Sequence, residues 1–191
     1  MKTFHIFCLG ILIFCSASCV FYISPVQRAN QVNKSEAMFY GKFFYGRHFS
    51  EELNPSWYTT GLWIENTGTG HALYIEFKDT NYVYAVQVEP GIYRIAGSVR
   101  SDNEHGVKQR MVFTETNFPG IILKPFEARA GDQIYLGDYM WETKSDWPMM
   151  YWKLKSVDDQ FLTTTSELLQ ACPGVLGSAG KNVFDRSLHL R

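Results

Sequence analysis

From Met38 onward, apolar positions fall in short runs separated by turn residues. Leu73, Ile75 and Phe77 alternate with Tyr74, Glu76 and Lys78, the period of two that marks a half-buried strand. Comparable apolar or aromatic runs occupy residues 39–45, 61–66, 82–88, 92–99, 110–116, 121–124, 133–139 and 150–155. Thr67-Gly68-Thr69-Gly70, Glu89-Pro90-Gly91, Asn117-Phe118-Pro119-Gly120 and Ala130-Gly131-Asp132 punctuate them, and residues 100–109 read as a polar loop. In Glu89-Pro90-Gly91 the proline presets φ at about −65° and the glycine accepts positive φ, which makes a sharp turn. Short strands at this spacing predict a mostly β fold, a single antiparallel β-sandwich. One short C-terminal helix is expected. Asp158 or Asp159 can cap it, Phe161, Leu162, Leu168 and Leu169 give it an apolar side, and Pro173-Gly174 stops it.

The two ends of the chain have other patterns. Met1 to His5 is a short basic region, and Ile6 to Phe14 is an unbroken apolar run. Ser16-Ala17-Ser18-Cys19 follows. This is the layout of an export signal over residues 1–18. A helix of about ten apolar residues reaches about 15 Å, half of a bilayer's hydrocarbon core. The small residues before Cys19 resemble a lipobox, in which the cysteine becomes the lipid-bearing N-terminus. Ser16 departs from the leucine usual at its position. Two other readings stay open. Ser16 and Ser18 also suit ordinary signal peptidase, and Phe4 to Ile23 is long enough to remain as an uncleaved anchor. Val20, where an inner-membrane retention signal would place aspartate, favours the outer membrane. Residues 19–37 are then a lipidated N-terminus and polar linker, 38–173 the sandwich, and 174–191, with Gly174, Gly177 and Gly180, a flexible tail.

Composition narrows the function classes. Net charge is −1 with no basic block, so there is no electrostatic case for nucleic acid. Of the four cysteines, Cys8 and Cys15 lie in the leader, and Cys19 and Cys172 are far apart, so the β-rich middle is held by packing rather than by disulfides. Whether Cys172 is free or paired stays open.

Two stretches carry a family resemblance. One is Val88-Glu89-Pro90-Gly91-Ile92-Tyr93. The other runs from Phe126 through Gly131-Asp132-Gln133-Ile134-Tyr135 to Gly137-Asp138. Together, over residues 73–173, they resemble bacterial envelope lipoproteins with a transthyretin-like or carboxypeptidase-regulatory-like β-sandwich. In that group a Pro-Gly hairpin and a Gly-acidic hairpin precede a short helix that ends near a proline. The resemblance implies an Ig- or transthyretin-like sandwich and no particular activity.

No catalytic, cofactor or metal constellation emerges. His48, His71 and His105 are scattered outside any metal-ligand spacing. No G-x-S-x-G elbow occurs. Gly180-Lys181 lacks a correctly placed first glycine for a phosphate loop, and Asn182 stands where that loop has a hydroxyl. Asp132 and Asp138 are well placed, but their flanking glycines suit turn chemistry. The stretch 139–152 holds three tryptophans, three methionines and two tyrosines around a polar centre. Tyr139, Trp141, Trp147, Tyr151 and Trp152 are therefore the candidate binding surface, since aromatic residues favour recognition sites. The expectation is a non-enzymatic envelope lipoprotein that holds membrane lipid through Cys19 and binds an envelope protein partner. The alternative is a glycan- or peptidoglycan-binding module that uses the same aromatic segment.

Overall fold

The computed structural model describes residues 21–22, 33–45, 58–77, 83–102, 108–115, 118–146, 149–171 and 180–190. The leader, Cys19, Trp147 and Cys172 lie outside them. The strands are β1 (Phe21–Tyr22), β2 (Ala37–Tyr45), β3 (Tyr58–Asn66), β4 (Ala72–Phe77), β5 (Val83–Val88), β6 (Gly91–Asp102), β7 (Lys108–Val112), β8 (Phe126–Ala128), β9 (Gln133–Asp146), β10 (Met149–Asp158) and β11 (Lys181–Asn182). Helix α1 spans Phe161–Ala171.

The strands form two sheets. The first has the order β1-β4-β3-β6-β7, with β8 also paired to β6. The second has the order β10-β9-β2-β5, with β11 also paired to β9. The fold is thus the mostly β sandwich with one short helix that the pattern predicts. Most pairings are antiparallel, but β2 runs parallel to β9, from Met38 opposite Gln133 to Tyr45 opposite Trp141. No hairpin turn connects these two strands, so local sequence does not set their relative direction.

Apolar residues without alternation mark β2 as a strand enclosed on both sides. Ala37, Met38, Phe39 and Tyr40 are successive and at most 2% exposed, so β2 is buried on both faces. Phe39 and Phe43 face the first sheet, in a core with Leu62, Ile64, Ile75, Val86, Ile95, Ile134 and Leu136. Phe39 meets Tyr93 and Phe126 edge-on, with ring centroids 5.1 and 5.7 Å away. Met38 and Tyr40 face the other way and join Ala85, Tyr135 and Leu168 in a second cluster beneath α1.

Several expectations are corrected. Residues 121–124 are turns, not a strand, with Ile122 N–H donating to Pro119 O at 3.1 Å and Lys124 N–H to Ile121 O at 3.2 Å. Their apolar side chains plug the core as a loop, and a short apolar run alone cannot tell the two apart. Both resemblance turns also differ from hairpins. Glu89-Pro90 carries the chain from β5 in one sheet to β6 in the other, and Ala130-Gly131-Asp132 carries it from β8 to β9 across the same gap. Gly131 does adopt positive φ, at 81°. Gly91 does not adopt positive φ, and a Cβ there would lie 2.6 Å from the end of the Asn66 side chain, which would have to shift.

The ends are less loose than expected. Within the expected linker, β1 pairs in parallel with β4, Phe21 opposite Leu73 and Tyr22 opposite Tyr74. Within the expected flexible tail, β11 pairs in parallel with β9 and Val183 is fully buried. Val183, Phe184 and Leu188 pack on the core, which outweighs the glycine and polar content of that stretch.

Candidate functional site

The aromatic segment forms one long hairpin. Strand β9 outruns β2: the pairing of these two ends at Tyr45 opposite Trp141, while β9 continues to Asp146. Over that extension, Glu142 to Asp146 pair with Lys153 to Met149. Tyr151 stands opposite Lys144 and Trp152 opposite Thr143. Tyr139 and Trp141 do not belong to a binding surface. They are 0% and 2% exposed, because β9 at their level is still inside the sandwich. The Tyr139 hydroxyl donates to Leu136 O at 3.0 Å, and burial pushes its pKa up. Trp141 packs against Phe43 with ring centroids 6.0 Å apart. The structure therefore divides the five predicted residues. Two are core, Tyr151 and Trp152 lie on β10 with their side chains outside the described residues, and Trp147 lies outside the described residues altogether.

A buried polar cluster fixes α1 to the second sheet. Asp138 on β9 is 3% exposed. It accepts hydrogen bonds from Tyr135 Oη at 2.8 Å and from Thr164 Oγ1 at 3.0 and 2.9 Å. The Tyr135 hydroxyl also lies 3.1 Å from Asp158 O and accepts from Gln160 N–H at 3.0 Å. Beside it, Tyr40 Oη and Thr165 Oγ1 are 2.8 Å apart, and Lys42 Nζ pairs with Glu167 at 2.6 Å. Burial raises the Asp138 pKa, against the hydrogen bonds from Tyr135 and Thr164 and the charge of Lys42, which lower it. Burial also pushes the Tyr40 hydroxyl up to about 12. These groups bond one another across β2, β9 and α1, so the cluster reads as a docking contact for the helix. Asp132, by contrast, does turn chemistry. Its Oδ2 accepts from Arg129 N–H at 2.8 Å and from Lys181 Nζ at 2.6 Å. Sequence reasoning missed Thr164, Lys42 and Glu167, which lie far apart along the chain and carry no local motif.

Two clefts open on the surface. One of about 300 Å³ lies among Glu36, Asn66, His71, Gln87, Glu89 and Tyr93. Asn66 Oδ1 there accepts from Gly68 and Thr69 N–H at 3.0 and 3.1 Å, which shapes the β3–β4 turn. The other, of about 390 Å³, lies between Glu127, Arg129 and Phe161 on one side and residues 180–188 on the other. Among the described residues no three His, Cys, Asp or Glu side chains converge as a metal site. Among them, too, no helix is long and apolar enough to cross a membrane.

No protein-family model matches the chain, and no curated protein matches it. Among solved structures it is similar to a proposed cell adhesion protein from Bacteroides fragilis, at 12% identity and a TM-score of 0.31, over 64% of this chain and 46% of that one. It is also similar to a proposed cell adhesion protein from Bacteroides uniformis, at 12% identity and a TM-score of 0.27, over 65% of this chain and 50% of that one. The chain thus spans about half the length of the structures it matches.

Proposed function

We propose that the chain is a non-enzymatic lipoprotein of the cell envelope, anchored at the outer membrane through Cys19, whose sandwich docks a protein partner through the β9–β10 hairpin. The observation that carries this reading is the hairpin itself. Its first strand runs five residues past its pairing with β2, its second strand carries Tyr151 and Trp152, and Trp147 falls between the two strands in the sequence. Tryptophan and tyrosine bury large area at low entropic cost, so they suit a projecting docking element. Export rests on the basic, apolar and small-residue order of the first eighteen positions. Only Val20 separates Cys19 from β1, so a lipid on that cysteine sets the β4 edge within about 10 Å of the bilayer surface. The domain itself is of the transthyretin-like or carboxypeptidase-regulatory-like kind.

Site-specific photocrosslinking in the producing cell tests the docking reading. A crosslinker at position 147 or 151 is expected to capture one defined envelope protein. A crosslinker at exposed Thr163 on α1 is not. Equal capture from both positions, or none from the hairpin, overturns the reading. Retention on purified peptidoglycan that is lost in Trp147→Ala assigns the hairpin to glycan instead. Mass spectrometry of the mature N-terminus tests the anchor: a diacylated Cys19, absent in Cys19→Ala, is expected, and an unmodified wild-type terminus refutes it.

A further inference from the structure

His189 closes the C-terminal segment. Its side chain is in a residue only 9% exposed, with the ring edge-on to Phe126 at 6.4 Å between centroids. Nε2 lies 2.6 Å from Val183 O, and Nδ1 lies 3.2 Å from Lys124 O. Both partners are carbonyl oxygens, which only accept. A neutral imidazole carries one N–H, so it serves one carbonyl and turns a lone pair toward the other. An imidazolium donates to both.

Asp185, at the start of the 3-10 turn Arg186–Leu188, is held below the usual carboxylate range first by hydrogen bonds from Ser187 and then by the charge of His189. Glu127 on β8 is paired with Arg129 at 2.7 Å. Lys124 and Arg186, on the other segments packed around the ring, are both exposed.

We propose that doubly protonated His189 is a latch that fastens residues 180–190 to the sandwich, and that the segment is a strap loosened as the ring loses its proton. Besides the latch the strap is held by the apolar packing of Val183, Phe184 and Leu188, the two-residue β11 pairing, a bond from Val183 N–H to Tyr135 O at 3.0 Å, one from Leu190 N–H to Pro125 O at 3.1 Å, and the Lys181–Asp132 pair, so losing the latch loosens the segment without detaching it. The device has a structural consequence. Gly180, Lys181, Asn182, Asp185, Ser187 and Leu188 form one wall of the 390 Å³ cleft, so the cleft is complete only while the strap is closed.

The test is amide exchange by NMR on the full mature chain at about pH 5.5 and about pH 8, the interval in which histidine ordinarily changes charge, with rates corrected for intrinsic exchange. The protection factors of Val183 and Leu190 N–H are expected to fall about tenfold or more at the higher pH. Thr164 N–H, bonded to Gln160 O inside α1, is expected to hold. In His189→Gln the two strap amides are expected to exchange alike at both pH values. Wild-type strap protection that does not change, or a pH dependence that survives in His189→Gln, overturns the latch. Imidazole 15N shifts of the wild type give a second readout that needs no variant: a neutral ring at about pH 5.5 also overturns it.

Discussion

Replacing Thr164 by valine keeps the volume at a fully buried site and deletes one hydroxyl. That hydroxyl donates to both oxygens of Asp138, at 3.0 and 2.9 Å. A hydrogen bond to a charged group contributes about 1.5–3 kcal/mol, and one to a neutral group about 0.5–1.5 kcal/mol. The cost of Thr164→Val therefore depends on the protonation of Asp138. It is about 2 kcal/mol where the carboxylate is ionised and about 1 kcal/mol where it is protonated. For a chain of this size, the first corresponds to a fall in Tm of about 4–8 °C.

The pH dependence follows from the sign of the shift. Burial raises the folded-state pKa of Asp138, so the folded protein holds this proton to higher pH than the unfolded chain does. The stability it contributes is fully present below the ordinary carboxylate pKa and is lost as pH rises through the raised folded value. Removing the Thr164 donor takes away an interaction that lowers that value, so the loss with rising pH becomes larger in Thr164→Val. Urea unfolding at about pH 3 and about pH 7, read by tryptophan fluorescence, measures both quantities. Asp138→Asn supplies the control. The introduced amide still accepts from Thr164, and its NH2 group can donate to the Tyr135 hydroxyl, which then turns its single proton to Asp158 O at 3.1 Å. On that background Thr164→Val is expected to cost about 1 kcal/mol at both pH values. An equal cost at both pH values in the wild-type background refutes the assignment of the Thr164 hydroxyl to an ionised partner.

Other consequences are simpler to read. A Cβ at Gly97 would collide with the Met111 carbonyl of the neighbouring strand, so Gly97→Ala is expected to destabilise the first sheet by about 2–3 kcal/mol. An unchanged urea midpoint contradicts that contact. Arg94 reaches Glu65 with two nitrogens, at 2.8 and 2.6 Å, but its side chain is half exposed. Arg94→Ala should therefore cost under about 1 kcal/mol and less at high salt, which thermal unfolding at two ionic strengths checks. Leu162 projects from α1 at 81% exposure, so Leu162→Gln should leave stability within about 0.5 kcal/mol of wild type by the same measurement.

What the sequence revealed and what it hid have a common physical cause. Alternation located β4, and turn residues located most strand ends, because both signals are set by a few neighbouring residues. Helix α1 was legible for the same reason. Its N-terminal bond, from Phe161 N–H to Asp159 Oδ1 at 3.2 Å, is local chemistry. Contacts that join distant residues left no such trace. Lys42 and Glu167 are 125 positions apart, and nothing in either neighbourhood announces the pair. His189 looks like any histidine near a chain end until Lys124 O and Val183 O are placed on either side of it.

The inter-sheet turns sharpen that distinction, because the positive φ expected of the glycine holds at Gly131 and not at Gly91, and neither segment makes the expected hairpin. Glu89-Pro90-Gly91 and Ala130-Gly131-Asp132 do reverse the chain. Whether a reversal yields a hairpin or a crossing between sheets depends on which strand edges are already occupied. β5 pairs with β2, while Gly91 to Tyr93 of β6 pair with β8. The β8–β9 crossing likewise leaves β9 free to lie beside β2, so the two crossings together place β2 and β9 side by side in parallel. That arrangement buries Tyr139 and Trp141 at the level of β2 and lets the same hairpin run on beyond Tyr45. One continuous aromatic stretch in the sequence is therefore a core element at its start, while its later part pairs only within the β9–β10 hairpin among the described residues. The division between the two falls where β2 stops, some hundred residues earlier in the chain.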